Sequence, residues 1–195
     1  RNGSWARALM ADPGSHWEYS DVGMQHLSLA FKNIMNQEID SFLQERIFAP
    51  IGIENLSWNT LGGAGFIGPH TNGDSGIYVS ARELARFGYL ALHKGKWKDT
   101  ELIPNWWMEI ATKASQTMNP AYGYTWWVNS EGLNWPNLPT MAKLPTDAFA
   151  LRGYNANNCY IIPSLDLVVA RVGSGPVAWD DQVFIRSIVD TIIPG

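Results

Sequence analysis

Apolar residues recur at helical spacing through the first third of the chain. Leu27, Ala30, Phe31 and Ile34 stand three or four positions apart, and so do Ile39, Phe42, Leu43 and Ile47. Two amphipathic helices are predicted, the second stopped by Pro50 and Gly52. Ser4 to Met10 also reads as helix, ahead of a turn at Asp12-Pro13-Gly14. Residues 61–76 are rich in glycine and predict a loop. Ser80-Ala81-Arg82-Glu83 has the spacing of a capping box, in which serine and glutamate side chains each satisfy an otherwise unpaired backbone N–H. The helix it opens carries Leu84, Phe87 and Ala91 on one face and ends at Gly95; a short helix over Trp106 to Ala114 follows Pro104.

From Tyr122 onward the pattern changes to short runs rich in aromatic or β-branched residues, bounded by Gly, Pro, Asn or Asp. Tyr122 to Val128, Phe149 to Arg152, Asn158 to Ile162 and Leu167 to Val172 predict strands, with Pro163-Ser164-Leu165-Asp166 as a tight connection. Asp180 to Ile193 predicts a last amphipathic helix with Val183, Phe184, Ile188 and Ile192 as its apolar stripe. Helices, then an antiparallel sheet, then a helix make an α+β arrangement. With no linker, repeat or low-complexity stretch, residues 1–195 read as one continuous unit, mainly helical over 1–120 and built of strands and a final helix over 121–195.

Composition narrows the function classes. The chain has 195 residues, 46% of them apolar and 16% charged, which supports a packed core and excludes disorder. Fourteen Lys+Arg against eighteen Asp+Glu, a net charge of -4, and the lack of any basic run argue against a nucleic-acid partner. No apolar stretch approaches the roughly 20 residues that span a bilayer. One cysteine, Cys159, excludes an internal disulfide framework, and its place in an apolar strand suggests a buried, inert thiol. His16, His26, His70 and His93 show no paired metal-ligand spacing, so no metal is expected.

Two local motifs tempt and fail. Gly63-Ala64-Gly65-Phe66-Ile67-Gly68 has dinucleotide-binding spacing, but the polar residues before it and Pro69 to Asp74 after it do not supply a buried strand and a long helix. Gly73-Asp74-Ser75-Gly76 resembles the nucleophile segment of trypsin-like proteases, yet helices rather than a double β-barrel precede it. Tyr122, Tyr124, Trp126 and Trp127 suit a core or a cleft wall better than base stacking.

A third constellation fits along most of the chain. Pro13-Gly14 followed by Tyr19-Ser20-Asp21-Val22-Gly23 resembles the middle motif, Tyr-Ser-Asn-x-Gly, of the penicillin-recognising serine hydrolases. These include class C β-lactamases, DD-peptidases, family VIII esterases and 6-aminohexanoate-dimer hydrolases. Phe42 to Gly52, Gly76 to Gly88, Tyr122 to Trp127 (against the family's Tyr-Gly-Tyr-Gly-Trp) and Gly153 to Val169 are similar to further family segments, in the family's order.

The resemblance implies the C-terminal portion of a β-lactamase/transpeptidase-like fold and hydrolysis of an ester or amide through an acyl-serine. It implies Tyr19 as the catalytic base, Asp21 in place of the usual Asn, and Gly153 with the Tyr154 N–H at the oxyanion and substrate side, flanked by Arg152 and Asn157. No cofactor is implied. Leu151 stands where the family has the first basic residue of Lys-Thr-Gly or His-x-Gly; Arg152 follows it, aimed by strand alternation at the other face.

Both departures speak against reading an amide or a carboxylate and less against esters. No serine here has a lysine three positions on; Ser4 has Arg7, and arginine cannot act as a base. The nucleophile is therefore expected in an N-terminal segment of the same protein, which would be this chain's partner together with a small ester or amide substrate. A bared sheet edge would favour self-association. The resemblance favours a periplasmic or secreted location over a cytoplasmic one and leaves the compartment open. The departures at Asp21 and Leu151 leave open a non-catalytic binding or scaffold relative, and the glycine-rich loop leaves open an unrelated nucleotide-binding α+β protein.

Overall fold

The computed structural model describes residues 11–54, 56–61, 70–73, 75–129, 141, 144–173 and 180–193. The expected helix over Ser4 to Met10 and the glycine string from Gly62 to Gly68 lie outside them. The chain forms two compact units, Arg1–Val79 and Ser80–Gly195.

In the first unit, helix α1 (Asp21–Met35) and helix α2 (Ile39–Leu43) occupy the predicted segments, and α2 runs on through a wide turn at Gln44–Phe48. The rings of Phe31 and Phe42 meet edge to face at 5.1 Å. Ile47, Phe48, Ile51 and Ile53 are buried. The expected loop over residues 61–76 is partly extended instead. Strands β1 (Ser57–Trp58), β2 (Thr60–Leu61), β3 (His70–Thr71) and β4 (Ile77–Tyr78) make two antiparallel pairs, β1 with β4 and β2 with β3.

The apolar stripe of α1 does not face a core as predicted. Leu27 is 58% and Ile34 80% exposed, while Gln25 and Ser28 are the buried residues of the helix. Helical periodicity identifies two faces; hydrogen-bond partners supplied by β3 and by the start of α2 decide which is buried here.

The second unit is a four-stranded antiparallel sheet in the order β10-β9-β8-β7: β7 (Trp127–Val128), β8 (Phe149–Gly153), β9 (Asn157–Ile162) and β10 (Leu167–Arg171). Before it come α3 (Ala81–Leu92), the hairpin β5 (Lys96–Trp97) and β6 (Thr100–Glu101), and α4 (Asn105–Ala111). After it comes α5 (Asp181–Ile192). The pleat sends alternate residues to opposite faces. Phe149, Leu151, Cys159, Ile161 and Val168 pack with Leu84, Phe87 and Ala91 of α3. Ala150, Tyr160, Ile162 and Val169 pack with Ile185 and Val189 of α5.

Expected details of this unit divide in the same way. The capping box forms in full: Glu83 N–H donates to Ser80 Oγ at 3.2 Å, and Ser80 N–H donates to Glu83 Oε2 at 2.9 Å. On α5, Ile185 and Val189 form the buried stripe, whereas Val183 is exposed. The segment from Tyr122 to Val128 is mostly a hairpin turn, because the Tyr124 N–H donates to the Ala111 carbonyl of α4 and leaves only Trp127 and Val128 for the sheet. Thr125, at φ 67, takes the left-handed conformation that glycine adopts easily, and it stands where the resembling family motif has glycine.

Gly88 lets α3 approach the sheet. A Cβ there would lie 2.5 Å from Cys159 Sγ and 2.7 Å from Val168 Cγ1. Burial pushes the Cys159 thiol up to about 12, so it is an apolar filler rather than a thiolate. Gly88→Ala is expected to wedge α3 from β9 and β10 and cost about 1–3 kcal/mol, as overpacking does. Chemical denaturation of the two proteins measures this, with a lower midpoint expected at an unchanged slope.

Candidate functional site

Tyr19, Ser20 and Asp21 form the entry to α1. Ser20 has extended backbone (φ -131, ψ 105) and caps the helix, its Oγ accepting the Gly23 N–H at 3.0 Å. This is why the chain turns sharply there. Tyr19, the residue before the cap, projects with 52% of its surface exposed, and Asp21 is the exposed first residue of the helix. A carboxylate is favoured in a first helical turn by the unpaired N–H groups there.

Behind this entry lies a buried relay that the sequence did not reveal. Ser28 Oγ is 3.0 Å from His70 Nε2, and His70 Nδ1 is 2.9 Å from Glu38 Oε2. Glu38 also accepts the Thr71 N–H at 3.1 Å and pairs with Lys32. Gln25 extends the network, its Oε1 accepting the Gly73 N–H at 3.0 Å and its amide donating to Asn72. Serine, histidine and glutamate in line have the order of a catalytic triad. Here, however, Ser28 is 2% and His70 1% exposed, so no substrate reaches the hydroxyl, and the relay ties α1 to α2 and β3. Ser28, Glu38 and His70 are too far apart in the chain for a local signal. One trace was readable: Gln25, Ser28 and Lys32 are a polar stripe at helical spacing.

The other expected residues lie at one end of the sheet in the second unit. Gly153 ends β8, and a short turn, Tyr154–Ala156, leads into β9. Gly153, Tyr154 and Asn157 come together there, with Tyr154 88% exposed. Asn157 braces the turn: its Nδ2 donates to the Tyr154 carbonyl at 2.7 Å and its Oδ1 accepts the Gly173 N–H at 2.7 Å. Arg152 points to the α5 face, where its guanidinium lies 3.5 Å from Asp181 Oδ2. Leu151 points the other way, into the apolar cluster under α3.

Asp181 is buried and collects donors from β8 and β9. Besides Arg152, Asn158 Nδ2 donates to it at 2.6 Å and the Tyr160 hydroxyl donates to it as well. Burial first, and the neighbouring carboxylate second, push the Tyr160 hydroxyl far above its ordinary range, so it remains a donor. Asn158 Oδ1 in turn accepts the Gly153 N–H at 3.2 Å, which links this network to the strand end. A cleft of about 540 Å³ opens at the opposite end of the sheet, among Leu92, Met108, Val128, Phe149 and Pro163, and holds none of the expected site residues. Among the described residues no group of histidine, cysteine and carboxylate side chains could hold a metal ion.

Comparison with known proteins adds a family. The family model described as Beta-lactamase matches residues 6–187. An uncharacterised protein of Alkalihalophilus pseudofirmus is 24% identical over 207 residues, covering 92% of this chain and 59% of its own length. A solved structure from Bacillus anthracis, provisionally described as a 6-aminohexanoate-dimer hydrolase, superposes with a TM-score of 0.73 at 20% identity, over 95% of this chain and 46% of that one. A penicillin-binding protein from Bacillus halodurans gives a TM-score of 0.68 at 15% identity, over 94% and 59%. The fold is therefore β-lactamase/transpeptidase-like, and the chain spans about half to three fifths of the length of these relatives.

The relay makes an acid-stability prediction. Burial alone would raise the Glu38 carboxyl, but hydrogen bonds from Lys32, the Thr71 amide and His70 outweigh it and lower the group from 4.5 to about 2. A depressed carboxylate contributes stability above its unfolded value and loses it as pH falls through the folded one. The contribution of Glu38 is thus present above about pH 5 and lost on the way down to about pH 2. Glu38→Gln is expected to be less stable than the parent at pH 7 and to lose less stability over that window. Urea unfolding at pH 7, 4 and 2.5 checks this, and parallel losses in the two proteins would contradict it.

Proposed function

The chain belongs to the β-lactamase family, and on that premise we propose that it is the C-terminal part of a serine hydrolase that cleaves uncharged esters, and amides less well, through an acyl-enzyme. The serine and its lysine are supplied by residues outside this chain. The hydroxyl oxygen attacks the substrate carbonyl as its proton passes to a base, the role that the family resemblance gives Tyr19; the tetrahedral oxyanion rests on two backbone donors, a role that the same resemblance gives the Tyr154 N–H. The carbon–oxygen bond to the leaving alcohol then breaks, and the alcohol leaves with the proton. Water repeats the sequence on the acyl-serine and releases the acid.

The observation that carries the substrate preference is the disposition of residues 151–153 at the end of β8. Leu151 is packed under α3, and the Arg152 guanidinium is engaged by the buried Asp181 on the opposite face. Neither position offers a cation to a substrate carboxylate. Asp21, exposed at the start of α1, carries a carboxylate where the family's Asn would donate to an amide carbonyl. Both features favour neutral esters over carboxylate-bearing β-lactams or D-amino peptides. The exposed apolar face of α1 and the sheet edge at β10 suit the same picture, in which further residues of the same protein cover them.

A fluorophosphonate probe is expected to label a serine of the intact gene product, and short-chain neutral esters are expected to be hydrolysed. Tyr19→Phe should lower kcat by about 100-fold or more with the protein still folded, the usual scale of a lost general base. An intact product that neither labels nor turns over such esters would overturn the proposal. The 195-residue chain by itself is expected to self-associate at tens of micromolar in light scattering (about the scale of modest interfaces), and a clean monomer would contradict the covering role given to the absent segment.

A further inference from the structure

The turn that presents Tyr154 is held in a costly conformation. Asn155 (φ 58, ψ 29) and Ala156 (φ 58) lie consecutively in the left-handed region, where a side chain with a Cβ is disfavoured. Alanine has no polar group with which to compensate. Such strain persists only where surrounding structure over-determines it, and it concentrates at functional sites.

Arg171, the last residue of β10, supplies that determination from across the sheet. One guanidinium nitrogen, Nη1, donates to the Asn155 carbonyl at 3.0 Å, the Ala156 carbonyl at 2.8 Å and the Gly173 carbonyl at 3.3 Å. Asn157 closes the other side, between the Tyr154 carbonyl and the Gly173 N–H. The two strained residues and the end of β10 are thereby stitched into one rigid corner. From the direction opposite, Asn158 Oδ1 holds the N–H of Gly153.

We propose that Arg171 is a positioning residue: it holds the left-handed turn over Asn155 and Ala156 so that the backbone of Tyr154 stays at the strand end in one orientation. The inference rests on the hydrolase reading only for its consequence, which is that the Tyr154 N–H is aimed at the oxyanion before substrate arrives. Charge-assisted bonds from one cation to carbonyl oxygens are the strong kind, and all converge on a single nitrogen. A lysine ammonium has three donors of its own, so Arg171→Lys can replace the bonds where Arg171→Ala cannot.

Tyr154 provides the readout. It is 88% exposed, yet chymotrypsin can cut after it only when the clamped turn opens locally. In the 195-residue chain, Arg171→Ala is expected to accelerate cleavage after Tyr154 about tenfold relative to the other sites, and Arg171→Lys to stay near the parent rate. Acceleration in both variants, in neither, or equally at every site would overturn the proposal. In the intact gene product the same Arg171→Ala change should lower ester kcat roughly tenfold or more with KM little altered, and Arg171→Lys should restore it. If the parent product has no hydrolase activity, the functional reading falls, while the cleavage rates still decide whether Arg171 holds the turn.

Discussion

A buried carboxylate must be surrounded by donors or it destabilises the fold, and in the second unit that requirement organises the end of the sheet. Asp181, at the start of α5, draws in Arg152 from β8 and both Asn158 and Tyr160 from β9. Arg152 is thereby kept on the face of α5, and Asn158 is left with one oxygen for the Gly153 N–H. The chemistry open to residues 151–153 follows from this arrangement more than from their identities. Strand alternation sends Arg152 to the face away from Leu151, and Asp181 on α5 holds it there.

The first unit meets the same constraint with a different composition. His70 and Ser28 are almost inaccessible, so each nitrogen of the imidazole and the hydroxyl needs a partner, and Glu38 and the turn of α1 provide them. The cost of leaving any of these groups unpaired fixes the rotation of α1 about its axis. It does so against the hydrophobic pattern, which would have turned Leu27 and Ile34 inward. That conflict is intelligible if the outward face is an interface for the remainder of the protein, the role proposed above. The helix entry with Tyr19 rides on the same rotation.

Glycine and its absence mark the remaining close fits. Gly88 admits Cys159 and Val168 to the surface of α3. Thr125 and Ala156, by contrast, take left-handed backbone with a Cβ in place, one at a hairpin tip and one in the turn after Gly153. Hydrogen bonds hold both turns: the Tyr124 amide reaches α4, and Arg171 reaches the carbonyls of Asn155 and Ala156. Strain of this kind is set by what surrounds a turn, and no local pattern announces it.

By itself the sequence determined the helices and strands whose signals are local. The capping box at Ser80 and the short apolar, aromatic and β-branched runs of β8, β9 and β10 are all contained within a few residues. It also carried the family, because several motifs in fixed order identify a fold even when each alone is weak. Only the tertiary structure decided which face of α1 is buried, that Ile185 and Val189 rather than Val183 line α5, and that Asp181 is the partner Arg152 meets on the face to which strand alternation sends it. It also decided that Ser28, Glu38 and His70 meet. These outcomes depend on pairing between residues far apart in the chain, where the free energy of an unsatisfied buried polar group outweighs local hydrophobic periodicity.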